Sequence, residues 1–149
     1  GDRRTFYGGA GWCALRGDIA RGEGVYKSVD GGRHWRNVGL KDSRQIGDIL
    51  VYPDTPEIVY VAAIGHAFGP NDERGVFRTI DGGKTWTHLG LRDTQQISEV
   101  IVDPRDANEL FVAAMGHPYG ANEERGVFRS TDGGQSFKKI LYKNDNTGA

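Results

Sequence analysis

Apolar positions in this chain come in short runs, each closed by Gly, Pro, Asn or Asp. In the middle, QIGDILVYP (45–53) and EIVYVAAIG (57–65) are nearly continuous apolar blocks, whereas GVFRTID (75–81) and GKTWTHLG (83–90) alternate. Short β-branched or alternating runs between turn residues read as strands. No stretch carries the 3.6-residue period of an amphipathic helix. The four runs return at 96–104, 109–116, 126–132 and 134–141. Three of them also stand earlier, as TFYGGAGW (5–12), GVYKSVD (24–30) and GRHWRNVG (32–39). The first run has no counterpart there, so the chain opens inside the turn that would follow it.

The beat of this pattern is fixed by SVDGGRHW, TIDGGKTW and STDGGQSF, whose aspartates Asp30, Asp81 and Asp132 lie 51 residues apart. A constant period near 50 residues marks a repeat architecture. Four antiparallel strands per repeat is the unit of a β-propeller. The expected fold is therefore all-β, with two complete four-strand blades (41–90 and 91–142) after a three-strand partial blade (1–40). Residues 143–149 would begin the next loop. Propellers usually close with about four to eight blades. The expectation is thus a segment of a longer propeller, or a unit that copies of itself complete.

Each Asp-Gly-Gly joins two strands through a tight turn. Its glycines can take positive φ without a Cβ clash, and the aspartate can accept turn N–H groups. Trp35, Trp86 and Phe137 would fill space under the turn or between blades. Three equal copies suit a scaffold better than a catalytic centre, which needs one set of groups.

The pattern Ser/Thr-x-Asp-x-Gly-x-Thr-Trp/Phe resembles the Asp-box, or bacterial neuraminidase repeat. Ser28, Asp30, Gly32 and Trp35 match it. So do Thr79, Asp81, Gly83 and Trp86, and Ser130, Asp132, Gly134 and Phe137. His34 departs from the Thr position, which is expected to weaken its turn. The flanking text IVYVAAIGHAFGPNDERGVFRTIDGGKTW is similar to the sortilin-like "glycosyl hydrolase" repeat family. The resemblance implies a propeller with the Asp-boxes on the rim, away from the ligand face. It carries no sialidase activity over, because no arginine cluster or Tyr–Glu nucleophile pair can be assigned.

Composition narrows the partners. Net charge is −1, so no cationic excess marks a nucleic-acid face. No apolar run reaches 18 residues, and no export signal is visible. Localisation stays open, and a secreted or periplasmic setting would need a signal outside this segment. Cys13 is the only cysteine, so neither an intrachain disulfide nor a Cys-based zinc site is expected. Beside Trp12 it reads as a small buried hydrophobe. No cofactor is expected.

Function is sought in the loops opposite the Asp-boxes, where rigid scaffolds usually carry binding groups. GHAFGPNDERG (65–75) and GHPYGANEERG (116–126) place His66, Asn71, Glu73 and Arg74 in register with His117, Asn122, Glu124 and Arg125. Their counterpart, GWCALRGDIARGEG (11–24), is longer and different. LKDSRQ (40–45) and LRDTQQ (91–96) share the same end. The repeated polar residues form a ligand face or, alternatively, only tie the loops down: Glu with Arg, Asn capping a turn, His on Phe68 or Tyr119. No ligand spacing specifies a metal. Asp48 and Glu99, on the inner strands, are the weak candidates for a carboxylate pair; the alternative is a solvated channel lining. The expected function is a non-catalytic scaffold that binds protein, peptide or glycan. A fragment of a glycoside hydrolase and a self-assembling repeat unit are the alternatives.

Overall fold

A computed structural model describes residues 4–11, 21–66, 71–117 and 119–148. Trp12, Cys13 and Phe68 lie outside the described residues, as do the expectations attached to them. The described residues form eleven strands: β1 Phe6–Gly9, β2 Val25–Ser28, β3 Arg36–Gly39, β4 Ile46–Val51, β5 Val59–Ala63, β6 Gly75–Thr79, β7 Thr87–Gly90, β8 Ile97–Asp103, β9 Asp106–Ala114, β10 Gly126–Ser130 and β11 Lys138–Leu141. They make three antiparallel sheets, β1-β2-β3, β4-β5-β6-β7 and β8-β9-β10-β11. This is the expected partial blade followed by two complete ones.

Two elements differ from expectation. The fourth run of each repeat becomes strand only after its aromatic residue. Residues 29–35, 80–86 and 131–137 are seven-residue turns rather than tight two-residue ones. The reason is the aspartate, which gathers donors from up to four residues ahead and keeps the chain from re-entering the sheet. A 3₁₀ turn, Lys41–Ser43, also stands in the loop before β4.

The sheets stack face to face, and this explains the apolar blocks. β5 is buried along its whole length. Val59, Val61 and Ala63 face a core shared with the first sheet, including Val25, Leu40, Val38 and Tyr7. Tyr60 and Ala62 point the other way, into a core with Val100, Leu110, Val112 and Phe128 of the third sheet. A strand covered on both faces must be apolar at every position. A strand covered on one face needs alternation only, and β9 shows it.

Neighbouring sheets are also joined by hydrogen bonds at repeat-equivalent positions. Tyr7 Oη donates to the carbonyl of Pro56 at 3.3 Å, and Tyr60 Oη to that of Ala107 at 2.8 Å. Lys27 Nζ donates to the Gly82 carbonyl at 3.1 Å, and Arg78 Nη1 to the Gly133 carbonyl at 3.1 Å. Each cation thus grips the Asp-box turn of the following blade.

Candidate functional site

The three Asp-boxes share one wiring. Asp81 Oδ1 accepts from Thr79 Oγ1 at 2.7 Å, Lys84 N at 3.0 Å and Thr85 N at 2.9 Å, while Oδ2 accepts from Thr85 Oγ1 at 2.6 Å. Thr79 Oγ1 also accepts from Gly83 N at 2.9 Å. Asp132 repeats this with Ser130, Ser136 and Gly134. At Asp30, Nδ1 of His34 donates to Oδ2 at 2.6 Å, in the place of the Thr or Ser hydroxyl. The expected weakness at His34 is therefore offset by an equivalent donor. These bonds hold all three carboxyls well below the usual carboxylate range. The leading cause is the His34 amide at Asp30, the Thr85 hydroxyl at Asp81 and the Ser136 hydroxyl at Asp132. The six box glycines all have positive φ.

Because strands alternate direction, loops 40–45 and 91–96 and the described parts of loops 65–75 and 116–126 gather at the end opposite the boxes. There His66 Nε2 donates to Asp42 Oδ1 at 3.1 Å, and Asn71 Nδ2 donates to Asp42 Oδ2 at 3.0 Å and to its carbonyl at 2.9 Å. Glu73 accepts from Ser43 N at 2.9 Å. Arg74 is buried and donates to the carbonyls of Ile64 and His66. In the next repeat His117 Nε2 donates to the Asp93 carbonyl, Asn122 Nδ2 to the carbonyls of His117 and Gly120, and Arg125 Nη2 to the same two carbonyls. The His66 and Asn71 bonds hold the Asp42 carboxyl below its ordinary range. Gly65 (φ +77°) and Gly116 (φ +69°) permit this packing, since a Cβ on either would stand 2.3 Å from the Oδ1 of Asn71 or Asn122.

The inner-strand acids are not brought to a common task. Asp48 follows a bulge in β4; its Oδ1 accepts from Ile49 N at 2.8 Å and its Oδ2 from Val100 N, on β8, at 3.1 Å. Its carboxylate thus joins two inner strands. Glu99, one period later, is exposed. No group of three or more His, Cys, Asp or Glu residues suited to a metal stands among the described residues.

The loop end also holds a cleft of about 390 Å³ lined by Arg21, Gly22, Glu23, Lys41, Asp42 and Arg44. The 51-residue period hides the site because Arg21, Gly22, Glu23 and Arg44 differ in kind from their counterparts, whereas Lys41 and Asp42 keep their charge. The visible signal was the unlike length of loop 11–24.

Comparison with solved structures places this architecture among propellers. An ancestral GH74 enzyme matches with a TM-score of 0.65 at 22% identity, over 85% of this chain and 16% of its own. The GH74 xyloglucanase from Xanthomonas campestris matches with a TM-score of 0.61 at 16% identity, over 97% of this chain and 22% of its own. YCF48 bound to D1 peptide matches with a TM-score of 0.56 at 13% identity, over 97% of this chain and 38% of its own. The chain therefore spans well under half of each matched structure, and at these identities the likeness is one of fold. No curated protein matches the chain. The family described as Sortilin-Vps10 (sortilin, neurotensin receptor 3) matches residues 23–147, which take in all three Asp-boxes and both complete blades. On that match, and on the box wiring and blade order it covers, the chain belongs to the Sortilin-Vps10 family.

Proposed function

We propose that this chain is a non-catalytic propeller segment whose loop end binds a protein, peptide or glycan. The observation that carries this reading is the fate of the polar side chains at that end. His66, Asn71, Arg74, His117, Asn122 and Arg125 direct hydrogen bonds into their own loops and the adjoining connections. These bonds brace the described parts of the loops, and pre-organisation of this kind favours binding. One similar fold was solved with a peptide bound, and two are GH74 enzymes. Against an enzymatic reading here, Asp48 has both carboxylate oxygens occupied by main-chain amides. The test is a glycan and peptide array probed with the chain and with a His66→Ala/His117→Ala/Arg125→Ala variant of unchanged circular dichroism. Hits lost in the variant support the reading. Hits unaffected by it place binding elsewhere. Cleavage of aryl glycosides, lost on Asp48→Asn or Glu99→Gln, would sink it.

A second reading, self-assembly, is favoured by the two outer sheet faces. Phe6 and Trp35 occupy the positions of Val59 and Trp86, which pack against the preceding sheet, yet they are 46% and 48% exposed. At the other end Ile101 and Ile140 occupy the positions of Leu50 and Leu89, which pack against the following sheet, and they are 50% and 49% exposed. The two faces differ, so copies would join head to tail. Light scattering decides it: a stable, folded monomer at high concentration excludes this reading.

A further inference from the structure

Positions that repeat with the 51-residue period build the scaffold, so positions that break it are where one blade junction acquires its own chemistry. The cleft between the first two blades is such a place. Its lining, Arg21, Gly22, Glu23, Lys41, Asp42 and Arg44, carries three cations and two carboxylates. One period later the same positions are Asp72, Glu73, Arg74, Arg92, Asp93 and Gln95, with two cations and three carboxylates. The balance of charge is reversed.

The cations also differ in availability. At the second junction Arg74 is buried and bonded to carbonyls. At the first, neither Arg21 nor Lys41 has a carboxylate within ion-pair distance among the described residues, and Arg44 reaches Asp42 only at 4.0 Å. Asp42 is itself engaged by His66 and Asn71. Among the described residues, the cleft thus presents cationic groups whose charge its acids do not consume. The backbone holds Arg44 in place: its carbonyl accepts from Gly22 N at 2.8 Å, and its φ is +56°.

We propose that this cleft is a binding site for a carboxylate-bearing saccharide, such as a uronic acid. The proposal rests on the reading that the loop end binds ligands, and it names the ligand class. Guanidinium groups match a carboxylate in geometry and charge. Glu23 and Asp42 supply acceptors for sugar hydroxyls, and the same acids disfavour a polyanion such as a polyphosphate. Among the described residues the lining offers no apolar or aromatic side chain to hold an apolar peptide side chain. About 390 Å³ lies within the range of small-ligand sites.

The repeat supplies variants compatible with the fold. Arg44→Gln places here the residue that stands at position 95, where Gln95 has the same positive φ, +51°. Arg21→Asp does the same with the residue at position 72. The experiment is calorimetric titration of the whole chain with tri-galacturonate, with neutral tri-galactose and with a hexaglutamate peptide, at low and high salt. Tri-galacturonate should bind, tri-galactose should not, and affinity should fall with salt. Arg44→Gln should weaken binding at least tenfold, and Arg21→Asp/Arg44→Gln should abolish it with no change in melting temperature. Equal binding of the neutral sugar, unchanged binding in the double variant, or no binding of tri-galacturonate overturns the proposal. Hexaglutamate binding as well as tri-galacturonate overturns the saccharide assignment. Array ligands that bind the wild type and the double variant alike leave loop-end binding standing and remove only this cleft.

Discussion

The indole Nε1 of Trp86 donates to the carbonyl of Val38 at 2.7 Å, so an Asp-box aromatic is bonded to the outer strand of the preceding blade. Trp35, one period earlier, donates to Gly32 of its own turn at 2.9 Å and is half exposed. The same residue type at the same repeat position is a joint in one blade and a surface group in the other. Trp86→Phe, which copies the third repeat, should cost about 0.5–1.5 kcal/mol, the net worth of one hydrogen bond. Trp35→Phe should stay within about 0.5 kcal/mol. Urea unfolding of the two variants measures the contrast, and equal losses would refute the inter-blade role of Trp86.

Arg78 reaches the Gly133 carbonyl in the next Asp-box, whereas Arg129, one period on, pairs with Glu109 of its own sheet at 2.6 Å. Arg78→Met keeps the aliphatic stem and removes the clamp. It should cost about 1 kcal/mol, below the ~1.5–3 kcal/mol of buried charge-assisted bonds because the side chain is only partly buried. Arg129→Met should cost less, as exposed ion pairs contribute about 0–1 kcal/mol. Denaturation midpoints of the two variants rank them.

Asp30, Asp81 and Asp132 all titrate below their ordinary range in the folded chain. A carboxyl with a depressed folded pKa contributes stability above its unfolded value, near 3.9, and that contribution is lost as pH falls through the folded value. Stability should therefore decline steeply below about pH 4. Asp81→Asn cannot accept from both Thr85 donors; it should be less stable at neutral pH and show a shallower acid decline. Unfolding curves from pH 7 to 3 test both statements.

His88 Nδ1 accepts from Gly90 N at 3.0 Å, and its Nε2 donates to the Arg74 carbonyl at 2.7 Å. This needs the neutral ring, and burial lowers its pKa from 6.5, with Arg92 adding to the effect. A lowered histidine value means that stability is full above the unfolded pKa, near 6.5, and falls as pH drops below it. Asn37 makes the same two bonds in the first blade with its amide, to Gly39 N and the Glu23 carbonyl. His88→Asn should keep the bonds and flatten the stability profile between pH 7 and 5. An unchanged slope would assign that dependence to other groups.

The sequence alone determined the repeat, the eleven strands and the places of the turns, though not their seven-residue length, because each follows from local chemistry: period-2 patterning, Gly at positive φ, and an acceptor placed ahead of several amides. Tertiary structure decided the rest. Asp48 looked like a free acid in an inner strand, and only the approach of β8 turns it into an acceptor for Val100 N. Trp35 and Trp86 are indistinguishable in the repeat and differ only in whether a sheet lies beside them. The partners of the ligand-face candidates, Asp42 and the His66 and His117 carbonyls, are likewise set by how the loops meet. The basic cleft joins Arg21 to Lys41 and Arg44 across a blade junction, and the relation between residues so far apart in sequence is set by how two sheets stack, which no local pattern records.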